Sequence, residues 1–193
     1  MLRKTALEPS NWIDEFIRNC PGATGLLMRR VWWRRQLAAL GEYGHFGIGT
    51  LIVGGRNISI GNNFALMRNS SLYAENGKLQ IGDRVSVNSN VSIDACDNGR
   101  IIIGDDVLIG PNVVLRASDH EFGALDKPIN QQAHTGGSII LEDDVWLAAN
   151  VVVVSNVTIA AHSIVAAGAV VTHDVESGVV VGGVPARVIS RRK

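Results

Sequence analysis

His120 is the residue of this sequence best suited to acid–base chemistry. It stands in the phrase RASDHEF, five residues after the aliphatic Leu115 and at the start of a long polar stretch. Attack by an alcohol oxygen needs a base that works near neutral pH, because a free alcohol is a poor nucleophile, and the imidazole of histidine has a suitable unperturbed pKa. The competing interpretation is a loop histidine that is solvated or hydrogen-bonded to Asp119 or Glu121.

Asn88 is the second candidate, as a group that holds a substrate. In the phrase VNSNVSI it directly follows Val87, at a position where the rest of the chain usually has Gly or Ala. Asparagine at a corner also serves ordinary turn chemistry, because it tolerates a left-handed backbone. Both interpretations stay open at this point, with Asn90 as a structural neighbour.

A repeat with a period of six residues must position these side chains. Every sixth residue from Ile60, with three shifts of register, is Leu, Ile or Val. The fifteen positions are Ile60, Leu66, Leu72, Ile81, Val87, Ile93, Ile103, Ile109, Leu115, Leu141, Leu147, Val153, Ile159, Val165 and Val171. A helix has a period of 3.6 and a plain strand a period of 2, so neither alone explains the pattern. A short strand followed by a sharp corner does, with each aliphatic residue pointing inward.

A second inward-sized residue comes four residues after most of these positions. This set is Phe64, Val85, Val91, Val107, Val113, Val145, Val151, Val157, Ala169 and Val175. Three hexads make a triangular coil of 18 residues, and five such coils would stack at the parallel-strand spacing of about 4.8 Å. Because a single coil cannot bury its own face, stacking supplies the stability. The alternative is an ordinary sandwich of many short strands.

Three breaks interrupt the repeat. Two of them, AENGKLQ at 74–80 and DACDNGR at 94–100, contain Asn-Gly and predict widened corners. The third is long, and we expect residues 116–138 to protrude from the prism as a loop. A long loop on a rigid scaffold is more often functional than disordered. This break therefore places His120 at the mouth of a candidate functional loop.

The segments IGDRVSVNSNVSI, IIIGDDVLIGPNVVL and LEDDVWLAANVVVV, with the closing GGVPARVI, resemble the hexapeptide-repeat acyltransferases. The similarity covers roughly residues 48–190 and is nearest to the maltose, galactoside and polysaccharide O-acetyltransferases. It implies a left-handed parallel β-helix, an exception to the usual right-handed crossover, a homotrimer, and acetyl-CoA as co-substrate. In that family a catalytic His opens the extended loop, as His120 does here. An active-site Asn one coil earlier, which matches Asn88, holds the acceptor sugar.

The resemblance also implies where acetyl-CoA binds. Small residues line the pantetheine slot of the family, a Trp lies beside it, and a Thr and an Arg contact the nucleotide end. The matching positions are Gly110, Ala149 and Ala167 for the slot, Trp146 beside it, and Thr172 and Arg187 for the nucleotide. The alternative for the Trp is a surface aromatic on the face of the prism.

One position departs from the family pattern. His173 stands where a Lys is common, which puts one phosphate contact in doubt. The cations Arg191, Arg192 and Lys193 would supply the missing charge, since phosphates form strong hydrogen bonds with nearby cations. The alternative is that these residues form a solvated end.

The remaining His and Cys residues point to no further chemistry. We assign no metal, because His45, His134 and His162 share no spacing suited to a metal site. Neither cysteine lies near His120 in the register of the repeat, so no covalent acyl-enzyme is expected.

The sequence divides into a helical segment at 1–47, a β-helix at 48–186 and a basic tail at 187–193. The first segment predicts a short helix over NWIDEFIRN and a second helix from about Gly25 to Leu40. The second contains LLMRRVWWRRQL, and Arg together with Trp over residues 25–40 favours contact with a membrane surface that carries anionic lipid. The alternative is a helix packed on the prism or on a neighbouring subunit, with solvated arginines.

The composition excludes several classes of function. With 18 Lys or Arg and 18 Asp or Glu among 193 residues, the chain has no net charge, which excludes a generally basic nucleic-acid binder. Residues 1–36 and 187–193 each carry a net charge of +4, whereas the middle of the chain carries −8. No apolar run is long enough to span a membrane and the first residues lack a signal peptide. We therefore expect a cytoplasmic protein, and a peripheral position at the inner face of the membrane stays open.

These features predict a CoA-dependent O-acetyltransferase that acts on a sugar in surface polysaccharide or lipopolysaccharide assembly. One rival is an amino-sugar N-acetyltransferase on the same fold, which a panel of acceptors would distinguish. The other is a non-enzymatic structural β-helix, which would not bind CoA.

Overall fold

The computed structural model describes residues 9 to 192 as two helices followed by a parallel β-helix. Helix α1 is Pro9–Asn19 and helix α2 is Gly22–Gln36. Both predicted helices are present. The second begins earlier than predicted and ends before Leu40, because Leu37 takes an extended backbone that leads into the first strand.

Each turn of the β-helix contributes one strand to each of three parallel sheets. The first sheet contains β1 (Ala39–Leu40), β4 (Ile58–Ile60), β7 (Lys78–Ile81), β10 (Arg100–Ile103), β15 (Ser138–Leu141) and β18 (Val157–Ile159). The second contains β2 (His45–Phe46), β5 (Ala65–Leu66), β8 (Ser86–Val87), β11 (Leu108–Ile109), β16 (Trp146–Leu147), β19 (Ile164–Val165), β21 (Val179–Gly182) and β22 (Arg187–Arg191). The third contains β3 (Leu51–Val53), β6 (Ser71–Tyr73), β9 (Ser92–Asp94), β12 (Val114–Arg116), β17 (Val152–Val153) and β20 (Val170–Val171). The predicted left-handed β-helix is confirmed.

The core is the stack of aliphatic side chains inside this prism. All fifteen residues of the predicted six-residue repeat are buried, none more than 5% exposed. The second predicted set is buried as well, from Phe64 to Val175. The inward register read from the sequence is therefore correct throughout.

The corners between strands depend on a left-handed backbone. Fourteen of the described non-glycine residues have positive φ, and most are Asn or Asp, which tolerate this conformation better than other side chains. At one corner, Asn90, Asn112 and Asn150 stack in consecutive turns with φ of 59° to 60°. The amide of Asn90 donates to Asn112 (3.2 Å), and that of Asn112 donates to Asn150 (3.0 Å).

Both ends of the β-helix extend beyond the predicted boundaries. The first turn starts at Ala39 rather than residue 48, which gives six turns instead of five. The six-residue repeat did not reveal this turn, because Phe46 occupies an inward position where the later turns have aliphatic residues. At the other end, 187–191 is not a free tail but strand β22, antiparallel to β21. Residues 1–8 and Lys193 lie outside the described residues.

Helix α2 lies against the first turn through its buried face, which contains Gly25, Arg29 and Trp33. The guanidinium of Arg29 donates from Nε to the carbonyl of Phe46 (2.8 Å). The helix therefore packs on the prism, as in the alternative interpretation of this segment, although Arg29 is buried rather than solvated. Within residues 9–192, neither helix has the length and apolarity needed to cross a membrane.

Replacing Ile109 with Asp should destabilise the β-helix strongly. Ile109 is only 2% exposed, so the variant buries a carboxylate without a partner, at a cost of several kcal/mol. Thermal unfolding followed by circular dichroism measures the effect. The matched control is Leu108→Asp, whose side chain is 51% exposed on the outer face of the same strand. Equal melting temperatures for the two variants would contradict the inward register.

Candidate active site

His120 lies on a two-stranded antiparallel ribbon that leaves the prism. Strand β13 (Ser118–His120) pairs with β14 (His134–Gly136), and residues 121–133 form the tip. The backbone N–H of Gly137 donates to the carbonyl of Ala117 (2.7 Å), which closes the neck of the excursion. The predicted protruding loop is thus a hairpin anchored at both ends, and His120 stands on its paired part.

His134 faces His120 across this ribbon. The two residues are direct partners in the antiparallel register, their ring centroids are 4.1 Å apart, and their Nε2 atoms are 3.3 Å apart. The spacing of His134 in the sequence predicts no role for it. Its position could have been inferred if the loop had been predicted to return as a hairpin. In a hairpin, two residues that are equally far along the chain from the neck lie opposite each other.

Asp97 completes a row of three polar groups. Its Oδ2 lies 3.8 Å from Nδ1 of His134, and it comes from a corner of the preceding turn, where its φ is 55°. The carboxylate favours the neutral tautomer of His134 that carries its proton on Nδ1, because the positive end of that N–H dipole is attracted to the negative charge. In that tautomer Nε2 of His134 is the acceptor of a hydrogen bond from Nε2–H of His120, and Nδ1 of His120 keeps a free lone pair.

Other charged groups surround the base of the ribbon. Arg116 pairs with the carboxylate of Asp94 and also donates from Nε to the carbonyl of Ser118 (3.2 Å). At the other end, the hydroxyl of Thr135 donates to Oε1 of Glu121 (3.3 Å). These contacts tie the ribbon to the third sheet and restrict the position of His120.

Asn88 lies at a different corner, between the second and third sheets. It is exposed, and its side-chain Oδ1 accepts a hydrogen bond from the backbone N–H of Ser89 (2.7 Å). The left-handed residue of this corner is Asn90, not Asn88. Tolerance of positive φ therefore does not explain the asparagine at position 88, and its amide nitrogen has no protein acceptor among the described residues.

The residues expected to line a pantetheine slot stack along this same corner. The backbone N–H of Asn88 donates to Ile109 in the next turn, directly before Gly110. A Cβ on Gly110 would lie 2.8 Å from the carbonyl carbon of Ala148, so the stacking of turns itself excludes a larger residue there. Ala149 is half-buried and Ala167 is exposed. The result is a ridge without bulky side chains, a shape that suits an extended pantetheine chain.

Trp146 lies outside this ridge, on the outer face of the second sheet. It is 48% exposed and pairs in register with Leu108 and Ile164 in the adjacent turns. The described part of the chain gives its indole N–H no hydrogen-bond partner. It remains an exposed aromatic surface beside the corner that carries Gly110.

Thr172 and Arg187 lie at the C-terminal end of the prism. The hydroxyl of Thr172 is 2.8 Å from Nδ1 of His173, and Arg187 and His173 line the same small hollow of about 190 Å³. The neighbouring tail cations have protein partners, since Arg191 pairs with Glu176 (3.4 Å) and Arg192 with Asp144 (2.7 Å). They are therefore poorly placed to replace a missing phosphate contact.

Comparisons with known proteins agree with this architecture. The family described as bacterial transferase hexapeptide (six repeats) matches residues 138–173. A hexapeptide-repeat acetyltransferase of Vibrio cholerae, solved with acetyl-CoA, is 29% identical with a TM-score of 0.64, and the match covers 93% of this chain and 83% of that one. In repeat and in fold, the chain is similar to the hexapeptide-repeat acetyltransferases.

Two further relatives are more distant or shorter matches. AntD, an N-acyltransferase of Bacillus cereus solved with dTDP-4-amino-4,6-dideoxyglucose and coenzyme A, has a TM-score of 0.75 at 22% identity, over 86% of this chain and 89% of that one. A 2,3,4,5-tetrahydropyridine-2,6-dicarboxylate N-acetyltransferase of Staphylococcus aureus is 51% identical over 53 residues. That match covers 28% of this chain and only 22% of the S. aureus enzyme.

No metal centre emerges from the described residues, which contain no group of three or more His, Cys, Asp or Glu side chains that could hold an ion. Cys96 does lie closer to the ribbon than the repeat register indicated, next to Asp97. Its Sγ, however, accepts a hydrogen bond from the backbone N–H of Glu75 (3.3 Å), and burial raises the pKa of its thiol to about 11.

Cys96 should therefore react slowly with iodoacetamide. With a pKa of about 11, roughly one thiol in a thousand is thiolate at pH 8, and only the thiolate reacts. The alkylation rate of the Cys96 peptide, followed by mass spectrometry, should be about two orders of magnitude lower in the folded protein than in urea. Cys96→Ala should keep its turnover. Equal rates in the folded and unfolded states would refute the burial argument.

Proposed function

We propose that this protein is an acetyl-CoA-dependent O-acetyltransferase that modifies a sugar hydroxyl in surface polysaccharide or lipopolysaccharide assembly. The observation that carries the proposal is the imidazole of His120, held against His134 on an anchored ribbon. The hexapeptide repeat and the V. cholerae acetyltransferase solved with acetyl-CoA support the choice of acyl donor.

Nδ1 of His120 is the atom that accepts the proton. The row from Asp97 through His134 directs Nε2–H of His120 toward His134, so the free lone pair stands on Nδ1. The sugar hydroxyl gives its proton to Nδ1 as its oxygen bonds to the thioester carbon, and backbone N–H groups stabilise the oxyanion. When the carbon–sulfur bond breaks, the imidazolium returns that proton to the departing sulfur. His134 is a positioning residue that keeps His120 in the required tautomer.

An amino-sugar N-acetyltransferase is the second candidate. It is favoured by AntD and by the S. aureus enzyme, both of which are named for transfer to nitrogen. A general base serves either acceptor, so the two are separated by measuring thiol release from acetyl-CoA with neutral sugars and with their amino counterparts.

The proposal includes a place at the cytoplasmic face of the membrane. Large apolar side chains are exposed on both helices, namely Trp12 (67%), Phe16 (64%), Leu27 (62%) and Val31 (45%). The arginines of the segment 30–35 lie among them. Apolar side chains beside arginines suit an interface with anionic lipid, where a lipid-linked glycan would be the acceptor.

Assembly as a homotrimer supports a shared site. His120 comes after β12, a strand of the third sheet, whereas Asn88 lies at the corner between the second and third sheets. Within one chain, the full width of the third sheet therefore separates the two residues. A closed ring of three copies brings the corner of one subunit against the ribbon of the next. In this proposal each acceptor is bound between two subunits.

Mixing two impaired variants, at an acceptor concentration well below the raised KM of Asn88→Ala, should test the shared site. If His120 and Asn88 come from different copies, unfolding and refolding His120→Ala together with Asn88→Ala creates trimers that have one intact site, and roughly a quarter of the wild-type turnover returns by statistical assembly. Each variant refolded alone is the control. A protein that is monomeric in light scattering and still has normal turnover would exclude this arrangement. A mixture that gains no activity would exclude it as well.

His120→Ala should lower turnover by roughly 10²–10⁴-fold, the usual contribution of a positioned base. Binding of acetyl-CoA should change little, because the ribbon does not belong to the ridge near Gly110.

Two control variants sharpen this test. Asn88→Ala should raise KM for the acceptor with little change in kcat, whereas His134→Ala should lower kcat with little change in KM. Near-normal turnover of His120→Ala with a good acceptor would refute the catalytic assignment.

A further inference from the structure

A cavity of about 410 Å³ lies between the start of helix α2 and the first turns of the β-helix. Pro21–Ala23 contribute from the helix, and Arg29, His45, Arg68 and Ser89 contribute ionisable or polar side chains. Among the described residues, no Asp or Glu lines this cavity. In a β-helix whose central sequence is acidic overall, a cavity whose charged side chains are all cationic is unusual.

Arg29 is the most unusual of these groups. It is only 3% exposed, yet it pairs with no carboxylate in the described part of the chain. Carbonyl oxygens alone surround it: Nε donates to Phe46 (2.8 Å), and Nη1 donates to Cys20 (2.7 Å) and Ile17 (3.3 Å). Burial lowers its pKa. A buried charge without an opposite charge is costly, so an anion in the cavity would gain a strong attraction.

Two more positive features face the same space. Arg68 is exposed, and within residues 9–192 its guanidinium has neither an ion pair nor a hydrogen bond. The first turn of α2 has no side-chain cap, so its backbone N–H groups and the positive end of the helix dipole are available to a ligand. His45 also lines the cavity, with a pKa lowered first by burial and then by the charge of Arg29.

The cavity opens beside Asn88. Ser89 is the next residue along the chain, and Arg68 occupies the position equivalent to Ser89 one turn earlier. The corner that carries Arg68 and Ser89 continues in later turns through Gly110 and Ala149. One elongated ligand region therefore runs along this corner, with its positive end at the N-terminal cavity.

We propose that this cavity binds an anionic substituent, a phosphate or a carboxylate, on the acceptor sugar. The inference rests on the proposed function only in calling the ligand the acceptor. Its volume is large enough for one monosaccharide. Asn88 directly precedes the lining residue Ser89, and we expect it to contact a hydroxyl of that sugar. Arg29, Arg68 and the start of α2 then hold the negative group.

Calorimetric titration of the full-length protein without acetyl-CoA tests this directly. The probes are glucose, glucose 1-phosphate and glucuronic acid. A charge-assisted contact of the kind expected here increases affinity about 10- to 100-fold, so at least one anionic probe should bind that much more tightly than glucose. Tight binding of the phosphate ester alone identifies a phosphoryl group, and tight binding of the uronic acid identifies a carboxylate.

Arg68→Gln should remove most of this preference while the protein stays folded, because Arg68 is exposed. The matched control is Arg56→Gln, an exposed arginine in the short 3₁₀ turn Gly55–Asn57 that should keep the preference. Equal affinity for glucose and both anionic probes, or an equal loss in the two variants, would overturn the proposal. Acetyl transfer is measured separately, so binding of an anionic sugar without transfer refutes only the proposed function.

Discussion

The parallel stacking of consecutive turns is the constraint on which this structure depends. Each turn must close a triangle so that its strands lie under those of the next, and its aliphatic residues must meet at the axis. Three sharp corners per turn are possible only where a residue accepts a left-handed backbone. Asn and Asp fill most of these positions, and the hydrogen-bonded column of Asn90, Asn112 and Asn150 shows that they also link the turns.

A second column uses aspartate in the same way. Oδ1 of Asp83, Asp105 and Asp143 each accepts a hydrogen bond from a backbone N–H of the turn before it. The backbone N–H and then the side-chain amide of Asn62 hold the pKa of Asp83 below its usual range. The contacts require glycine beneath them, because a Cβ on Gly82 would lie 2.3 Å from Oδ1 of Asp105. Acidic residues are thus concentrated at the corner between the first and second sheets, and the anion-binding cavity lies elsewhere.

Because the turns stack regularly, the order of residues in the sequence is also their order along the axis of the prism. The cavity at Arg68, the amide of Asn88 and the small residues from Gly110 to Ala167 follow one another at a single corner because each belongs to a successive turn. The ribbon that carries His120 is the large departure from this order. It leaves and re-enters at Ala117 and Gly137, so the stack continues unchanged across it. Chemistry is therefore added to the scaffold without loss of any inter-turn strand pairing.

The amino-acid sequence by itself determined the β-helix, the inward register of its fifteen aliphatic positions and the place where His120 leaves the prism. These follow from a six-residue period, which is a local property that can be read directly from a single sequence. The first turn was missed because Phe46 breaks the aliphatic pattern, although it is fully buried.

Only the tertiary structure decided which distant residues meet. His134 lies opposite His120 because a loop returns as a hairpin, and Asp97 reaches them from the previous turn. Arg29 becomes a buried cation because helix α2 folds back onto the first turn. No periodicity encodes such contacts, since they depend on how separate segments pack against each other in space.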